Sequence, residues 1–366
     1  MSELKIKLAA GTNVGLIRQN NEDNFVVCSD LSSSEWLIPQ VDDYADLGEY
    51  GALLVVADGM GGANAGEVAS AITVETIQEC FVPDRLKNVI ADEKEIQEFM
   101  KDVVKRADVN ILNRSKEDSS TQGLGTTVVM AWIVGHRAYI CWCGDSRCYV
   151  LNKQKGLVQL SKDHSYVQEL VDKGELNREL MHDHPLSNVI TRCLGAEENR
   201  ANPDTIVYEL HDGDIIMLCS DGLSSLCHDD LIQATMDEVR ENPTECKNEL
   251  ISAALSSGGY DNVTVAICNV QMEEEATASK GDEEPDEETS KEENAKEEEE
   301  ELSSTIRTET IGRRRKPWKT ACLTLLLIAI AGAAYIALAD NCQQLRNDIL
   351  KTITPYIEQI KNWGKQ

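Results

Sequence analysis

Residues 53–62 read Leu53-Leu54-Val55-Val56-Ala57-Asp58-Gly59-Met60-Gly61-Gly62, an apolar, β-prone run that stops at a carboxylate and passes into glycines. The same grammar recurs along the chain. Ala138 to Cys143 leads into Gly144-Asp145-Ser146-Arg147, and Ile215 to Cys219 leads into Ser220-Asp221-Gly222. Asp261 and Asn262 instead open the apolar run Val263 to Cys268, and Glu22 and Asp23 follow Arg18 near the N-terminus. A buried strand delivers its end with little positional freedom, and a neighbouring glycine lets backbone carbonyls approach an ion without a Cβ in the way. One Asp-Gly is a turn signal. A set of acids at strand ends predicts a hard-metal site, because Mg²⁺ and Mn²⁺ prefer carboxylate, carbonyl and water oxygens.

Outward from these strand ends, Ala65 to Cys80, Glu93 to Ser115, Asp230 to Val239 and Pro243 to Ser256 place apolar residues at helical spacing. Val128 to Val134, Ala138 to Cys143 and Cys148 to Leu151 sit close together and read as an antiparallel meander turning at His136. No alternating βαβ order is evident, so the expected class is α+β. Leu31 to Gly51 is expected to be an extended surface connection, with Trp36 as a partner anchor. His164, His182 and His184 are expected to be exposed loop residues, since they lack the i, i+4 spacing of helical metal ligands.

Taken in order, the motifs are Arg18-Gln19-Asn20-Asn21-Glu22-Asp23, Asp58-Gly59-Met60-Gly61-Gly62, Gly125-Thr126-Thr127, Gly144-Asp145-Ser146-Arg147, Asp163-His164-Ser165, Thr191-Arg192-Cys193-Leu194-Gly195, Ser220-Asp221-Gly222-Leu223 and Asp261-Asn262-Val263-Thr264. In kind and order this series resembles the metal-dependent serine/threonine protein phosphatases of type 2C, the PPM family, in their bacterial form. The resemblance covers roughly residues 1–270. It implies a β-sandwich of two antiparallel sheets flanked by helices, in αββα layers, with the metals at one sheet edge. It further implies two Mn²⁺ or Mg²⁺ ions, with Asp58 bridging them, Asp221 and Asp261 completing one site, and Glu22 or Asp23 with the Gly59 carbonyl serving the other. Asp145 matches the position of a third, weaker metal, and Arg18 matches the guanidinium that holds substrate phosphate. The implied reaction is in-line attack of a metal-activated water on phosphoserine or phosphothreonine, and the stretch between Asp163 and Arg192 matches a flap beside the metals. Met60 departs from many eukaryotic members, which carry a histidine assigned as general acid there. A thioether cannot donate a proton, so protonation of the leaving group must fall to another group.

The chain has 366 residues and a net charge of −29, with no Lys/Arg cluster before residue 312, which argues against a nucleic-acid partner. Much of that charge is local: residues 271–301 hold 16 acids against three lysines and almost no large apolar side chain, the composition of a disordered linker. Twelve cysteines lie scattered without a CxxC pair. They read as reduced core thiols of a cytosolic domain rather than as disulfides or a Cys141, Cys143, Cys148 zinc site.

Residues 320–339 contain no charged side chain, and twenty helical residues rise about 30 Å, the thickness of a bilayer core. Arg307, Arg313, Arg314, Arg315, Lys316 and Lys319 precede this span, whereas only Arg346 and Lys351 follow closely, which keeps the N-terminal part in the cytosol. The expected organisation is a catalytic domain at 1–270, an acidic linker with a basic juxtamembrane end at 271–319, a transmembrane helix at 320–339 and an extracytoplasmic tail at 340–366. The expected partners are the membrane and phosphoprotein substrates, including those of a serine/threonine kinase confined to the same surface. The competing expectation is a catalytically weak, membrane-tethered phosphoprotein-binding module.

Overall fold

The computed structural model describes residues 3–33, 36, 43–61, 65–118, 123–196 and 201–273. Except for the first residues of the linker, the expected linker, membrane span and tail lie outside the described residues. Among the described residues no helix is long and apolar enough to cross a membrane.

The elements follow as β1 (Glu3–Asn13), β2 (Asp23–Cys28), β3 (Ala45–Asp46), β4 (Ala52–Met60), α1 (Ala65–Cys80), α2 (Pro83–Leu86), α3 (Glu93–Glu117), β5 (Gly125–Thr126), β6 (Val128–Val134), β7 (Arg137–Cys143), β8 (Arg147–Asn152), β9 (Gly156–Gln159), α4 (Tyr166–Asp172), β10 (Asp204–Glu209), β11 (Ile215–Cys219), α5 (Asp221–Ser224), α6 (Asp229–Glu238), α7 (Pro243–Ser256) and β12 (Val263–Glu273). One sheet runs β3-β1-β12-β11-β8-β9 and the other β10-β7-β6-β4-β2, with β5 paired to the end of β4. The strand pairs are antiparallel.

Strand periodicity explains the layering. Leu53, Val55 and Ala57 of β4 point to one side, where they join α1 and α3 residues such as Ile77 and Met100. Leu54 and Val56 point to the other side and meet Ile6, Ile216 and Ala266 of the facing sheet. Beyond that second sheet, Met217 and Val265 pack on Ile232 and Leu250 of α6 and α7. Three apolar layers between four structural layers give the expected αββα sandwich. Burying both faces of β4 also explains why its run is continuously apolar rather than alternating.

Caps set the helix starts. Asp92 accepts from the Lys94 and Glu95 amides at the start of α3, and Asn242 accepts from those of Thr244 and Glu245 at α7.

Three expectations change. The meander breaks after the β6–β7 hairpin: β8 crosses to the other sheet and pairs with β11 and β9. The crossing is made at Gly144-Asp145-Ser146, which carries the chain over the open edge of the sandwich. Trp36 is partly buried and packs on the core beneath α1 and α3, so it is not a free anchor. Of the histidines expected to be exposed, His164 is buried, and His182 and His184 are half-buried. The cysteine reading agrees with the fold in that Cys141 and Cys143 share one core whereas Cys148 belongs to another, which separates the three side chains of the rejected zinc site.

Candidate active site

At the edge where β4, β7 and β11 end and β12 begins, the structure brings together the acids that the sequence scatters. Asp23 opens β2 and stands directly opposite Asp58 in the β2–β4 ladder. Asp221 begins α5 straight after β11, and Asp261 lies two residues before β12. Asp145 sits in the β7–β8 crossing. Each strand register therefore fixes a carboxylate, and the registers share one edge.

Backbone hydrogen bonds lock Asp58. Its carbonyl accepts from the Thr126 hydroxyl and the Thr127 amide, both at 2.8 Å, and its amide donates to Thr127 Oγ1 at 3.3 Å. Thr127 Oγ1 in turn bonds Ser146 Oγ at 2.6 Å, tying Asp58 to the residue after Asp145. The Gly59 amide donates to the Glu22 carbonyl at 3.2 Å, and a Cβ on Gly59 would run into that carbonyl and into Gly66. Only glycine permits this approach.

Asn262 organises the opposite wall. Its side-chain amide donates to the carbonyls of Val14 and Asn20, while its oxygen accepts from the Glu22 amide at 2.8 Å. The loop carrying Arg18 and Glu22 is thereby stapled to the start of β12. Arg18 Nη2 donates to Asp261 Oδ2 at 2.7 Å with its guanidinium still about half exposed. Asp23 is buried, and its Oδ2 accepts from Ser220 Oγ at 2.7 Å and Thr264 Oγ1 at 2.6 Å.

The electrostatics reflect an excess of buried negative charge. Burial, reinforced by Asp23, Asp221 and Asp145, holds the Asp58 carboxyl well above the usual carboxylate range. Burial does the same to Asp145, with Asp221 and Asp163 adding to it. Asp221 is raised by burial and by Asp261, and Glu22 chiefly by burial. Burial pushes Asp23 up to about 7, even though two hydroxyls donate to it. Hydrogen bonding to Asp261 raises Arg18.

Clustered, desolvated acids are costly unless cations compensate them. Their oxygen-only donor set, with the Gly59 carbonyl at the same edge, suits Mg²⁺ or Mn²⁺. Among the described residues no three such side chains already close on one point as ligands. The donor chemistry and the raised carboxyls are what fit the metals.

The Asp163-His164-Ser165 motif, which the sequence reading left without a role, proves to be a support. Asp163 takes a bidentate grip from Arg147, with Nη2 at 2.7 Å. His164 Nδ1 accepts from the Gly144 amide at 3.1 Å, so its Nε2–H faces Asp204 Oδ2 at 3.0 Å. Ser165 caps α4. Ser146, Ser220 and Asn262 stand next to Asp145, Asp221 and Asp261 in the sequence, and that adjacency is a signal for their supporting role; Thr126, Thr127 and Thr264 have no acidic neighbour and are brought to the carboxylates only by the fold.

Beyond Asp145 and Asp221 a cleft of about 550 Å³ opens, lined on its far side by Arg178, Met181, His182 and Asn188 from the expected flap segment. His182 packs against His228 there, with ring centroids 4.1 Å apart and the planes tilted by 32°.

Comparison with known proteins agrees with this geometry. The family model described as protein phosphatase 2C matches residues 38–256. The serine/threonine phosphatase stp of Listeria monocytogenes serotype 4b is 31% identical over 259 residues, covering 70% of this chain and 92% of the relative. The crystal structure of the Mycobacterium tuberculosis serine/threonine phosphatase PstP/Ppp superposes with a TM-score of 0.59 at 31% identity, covering 73% of this chain and 99% of that one. The PstP catalytic domain in complex with two manganese ions superposes with a TM-score of 0.57 at 30% identity, covering 73% and 99%.

Proposed function

The chain belongs to the protein phosphatase 2C family and is a metal-dependent protein-serine/threonine phosphatase, and from that premise we propose how its residues divide the work and where it acts. The observation that carries the reading is the convergence of Asp23, Asp58, Asp145, Asp221 and Asp261 on the edge where Arg18 stands. Glu22, Asp23, Asp58, Asp221 and Asp261, with the Gly59 carbonyl, would hold two ions, and Asp145 would serve a third. Mn²⁺ or Mg²⁺ bound there supplies the Lewis acidity that makes water nucleophilic at neutral pH and offsets phosphoryl charge.

The chain's own side chains do the rest. Arg18 binds the substrate phosphate through the donors that Asp261 leaves free, and the ion pair sets the plane of the fork before substrate arrives. Asn262 holds Arg18 and Glu22 in one loop, so phosphate and water-activating groups keep their spacing. Met60 offers no proton, so the leaving oxygen must take its proton from elsewhere.

The reading extends to location. The uncharged 320–339 span and the cationic flank before it support a single-pass anchor with the phosphatase on the cytosolic face, acting on phosphoproteins of that surface, including substrates of a membrane-bound kinase. The test is hydrolysis of a phosphothreonine peptide by the full-length chain with Mn²⁺. A rate no greater than that of Asp58→Asn would favour a phosphoprotein-binding module instead. Recovery of the chain from the soluble fraction after cell lysis would refute the anchor.

A further inference from the structure

The three most exposed large apolar side chains of the described residues are Leu16 at 64%, Ile17 at 66% and Tyr260 at 63%. Leu16 and Tyr260 are joined through the Gly258-Gly259 turn, and Ile17 follows Leu16 in the chain. The Leu16 amide donates to the Gly259 carbonyl at 2.7 Å, the Leu16 side chain lies over Gly259, and the Tyr260 ring folds back over Gly258. The patch is also covalently continuous with the Arg18–Asp261 ion pair, since Ile17 precedes Arg18 and Tyr260 precedes Asp261.

This placement constrains any substrate. An extended peptide advances about 3.3 Å per residue, so a phosphoresidue whose phosphate rests on Arg18 must lay its neighbours on the ground next to Arg18. That ground includes the cleft that Asp221, a charge felt by Arg18, helps to line with Asp145, Asp163, Asp229 and Asp230. It also includes Leu16, Ile17 and Tyr260, the chain neighbours of Arg18 and Asp261. Exposed apolar surface contiguous with a binding group marks an interaction site rather than random exposure.

We infer that Leu16, Ile17 and Tyr260 form a specificity platform that takes an apolar side chain flanking the phosphothreonine or phosphoserine of a protein substrate. The inference rests on Arg18 holding the phosphate. Covering the platform withdraws apolar area from water only when such a residue is present, so it favours those substrates without touching the reacting atoms.

The test uses the full-length chain with Mn²⁺ on two phosphothreonine peptides differing only in the flanking residues, Leu in one and Ser in the other, and on p-nitrophenyl phosphate, which has no flanking residues. The wild type should favour the Leu peptide by about tenfold in kcat/KM, the discrimination a shallow apolar site supplies. Leu16→Ser with Tyr260→Ser should erase that preference while p-nitrophenyl phosphate turnover stays within about twofold of wild type, because the small substrate never reaches the platform. Leu16→Met with Tyr260→Phe should retain the preference. Equal use of both peptides by the wild type, or a preference that survives the Ser substitutions, overturns the proposal. So does a parallel loss of p-nitrophenyl phosphate turnover, which would mean the patch merely supports Arg18. A wild type that oligomerises through the patch, shown by sedimentation of the Ser variant as a smaller species with unchanged peptide preference, also overturns it. A wild type inert on all three substrates defeats the phosphatase reading itself.

Discussion

Arg18 and Asp261 are 243 residues apart in sequence, yet the guanidinium donates to the carboxylate at 2.7 Å. The bond joins the phosphate-binding candidate to a metal-ligand candidate, so the two cannot be perturbed independently. Arg18→Ala should lower kcat/KM on a phosphopeptide by roughly 10- to 100-fold, the scale of a charge-assisted hydrogen bond pair, mainly through KM. Arg18→Lys should recover only part of that loss, because a lysine keeps the charge without the planar fork. Steady-state kinetics on one peptide would decide it; equal activity of the Ala and wild-type proteins would remove Arg18 from the phosphate site.

Asp58 carries the opposite kind of conflict. Without a bound cation its buried charge faces Asp23, Asp221 and Asp145. Asp58→Asn should therefore raise the melting temperature of the metal-free protein by a few degrees, roughly 1 kcal/mol or more at the scale of this domain. The same substitution should abolish the stabilisation given by Mn²⁺ and cut turnover by at least about a thousandfold. Thermal melts with and without Mn²⁺ separate these effects, and a destabilised metal-free variant would contradict the electrostatic account.

What the sequence made legible follows from where the information lies. Asp58, Asp145 and Asp221 stand at the ends of apolar runs, so strand periodicity alone predicts that they arrive at an edge. The α1, α3, α6 and α7 spans were readable for the same reason, as amphipathic repeats. The destination of β8 was not: Cys148, Tyr149 and Val150 suit either sheet, and pairing with β11 is decided by residues far away in sequence. His164 does lie in a loop, but a polar neighbourhood, Asp163 and Ser165, implies exposure, whereas each of the three side chains is buried and satisfied by a specific partner. Hydrogen-bond partners at that distance leave no periodic trace.

The raised carboxyls make metal binding a proton-linked event. An aspartate whose folded pKa lies above its unfolded value near 3.9 favours folding at low pH, and that contribution is lost as pH rises through the folded value. For Asp23 the window runs from about 4 to about 7, and Asp58, Asp145 and Asp221 shift in the same direction. Stability of the metal-free protein should fall as pH rises across this window. Because bound Mn²⁺ requires ionised ligands, its apparent affinity should rise with pH, by about tenfold per unit for each proton displaced. Calorimetric titration of Mn²⁺ at pH 6, 7 and 8 measures this directly; an affinity independent of pH would mean that the acids are already ionised.

His164 tests whether the support beneath Asp145 matters to the site. Its Nδ1 accepts from the Gly144 amide, and Gly144 holds φ at +124°, a conformation that favours glycine. Removing the imidazole in His164→Ala leaves that buried amide without its acceptor, at a cost of about 1–3 kcal/mol, and opens space beside Trp142, which stacks on the ring. The melting temperature should drop by several degrees. Stability alone would not show positioning, since any core truncation lowers it. The discriminating readout is the KM for Mn²⁺ in phosphopeptide hydrolysis, measured at a temperature where the variant is fully folded. If Gly144 aims Asp145 at a metal, that KM rises several-fold in His164→Ala while a comparable truncation away from the edge, such as Ile232→Ala, leaves it unchanged. If both variants keep the wild-type value, the His164 hydrogen bond supports the fold and not the metal site.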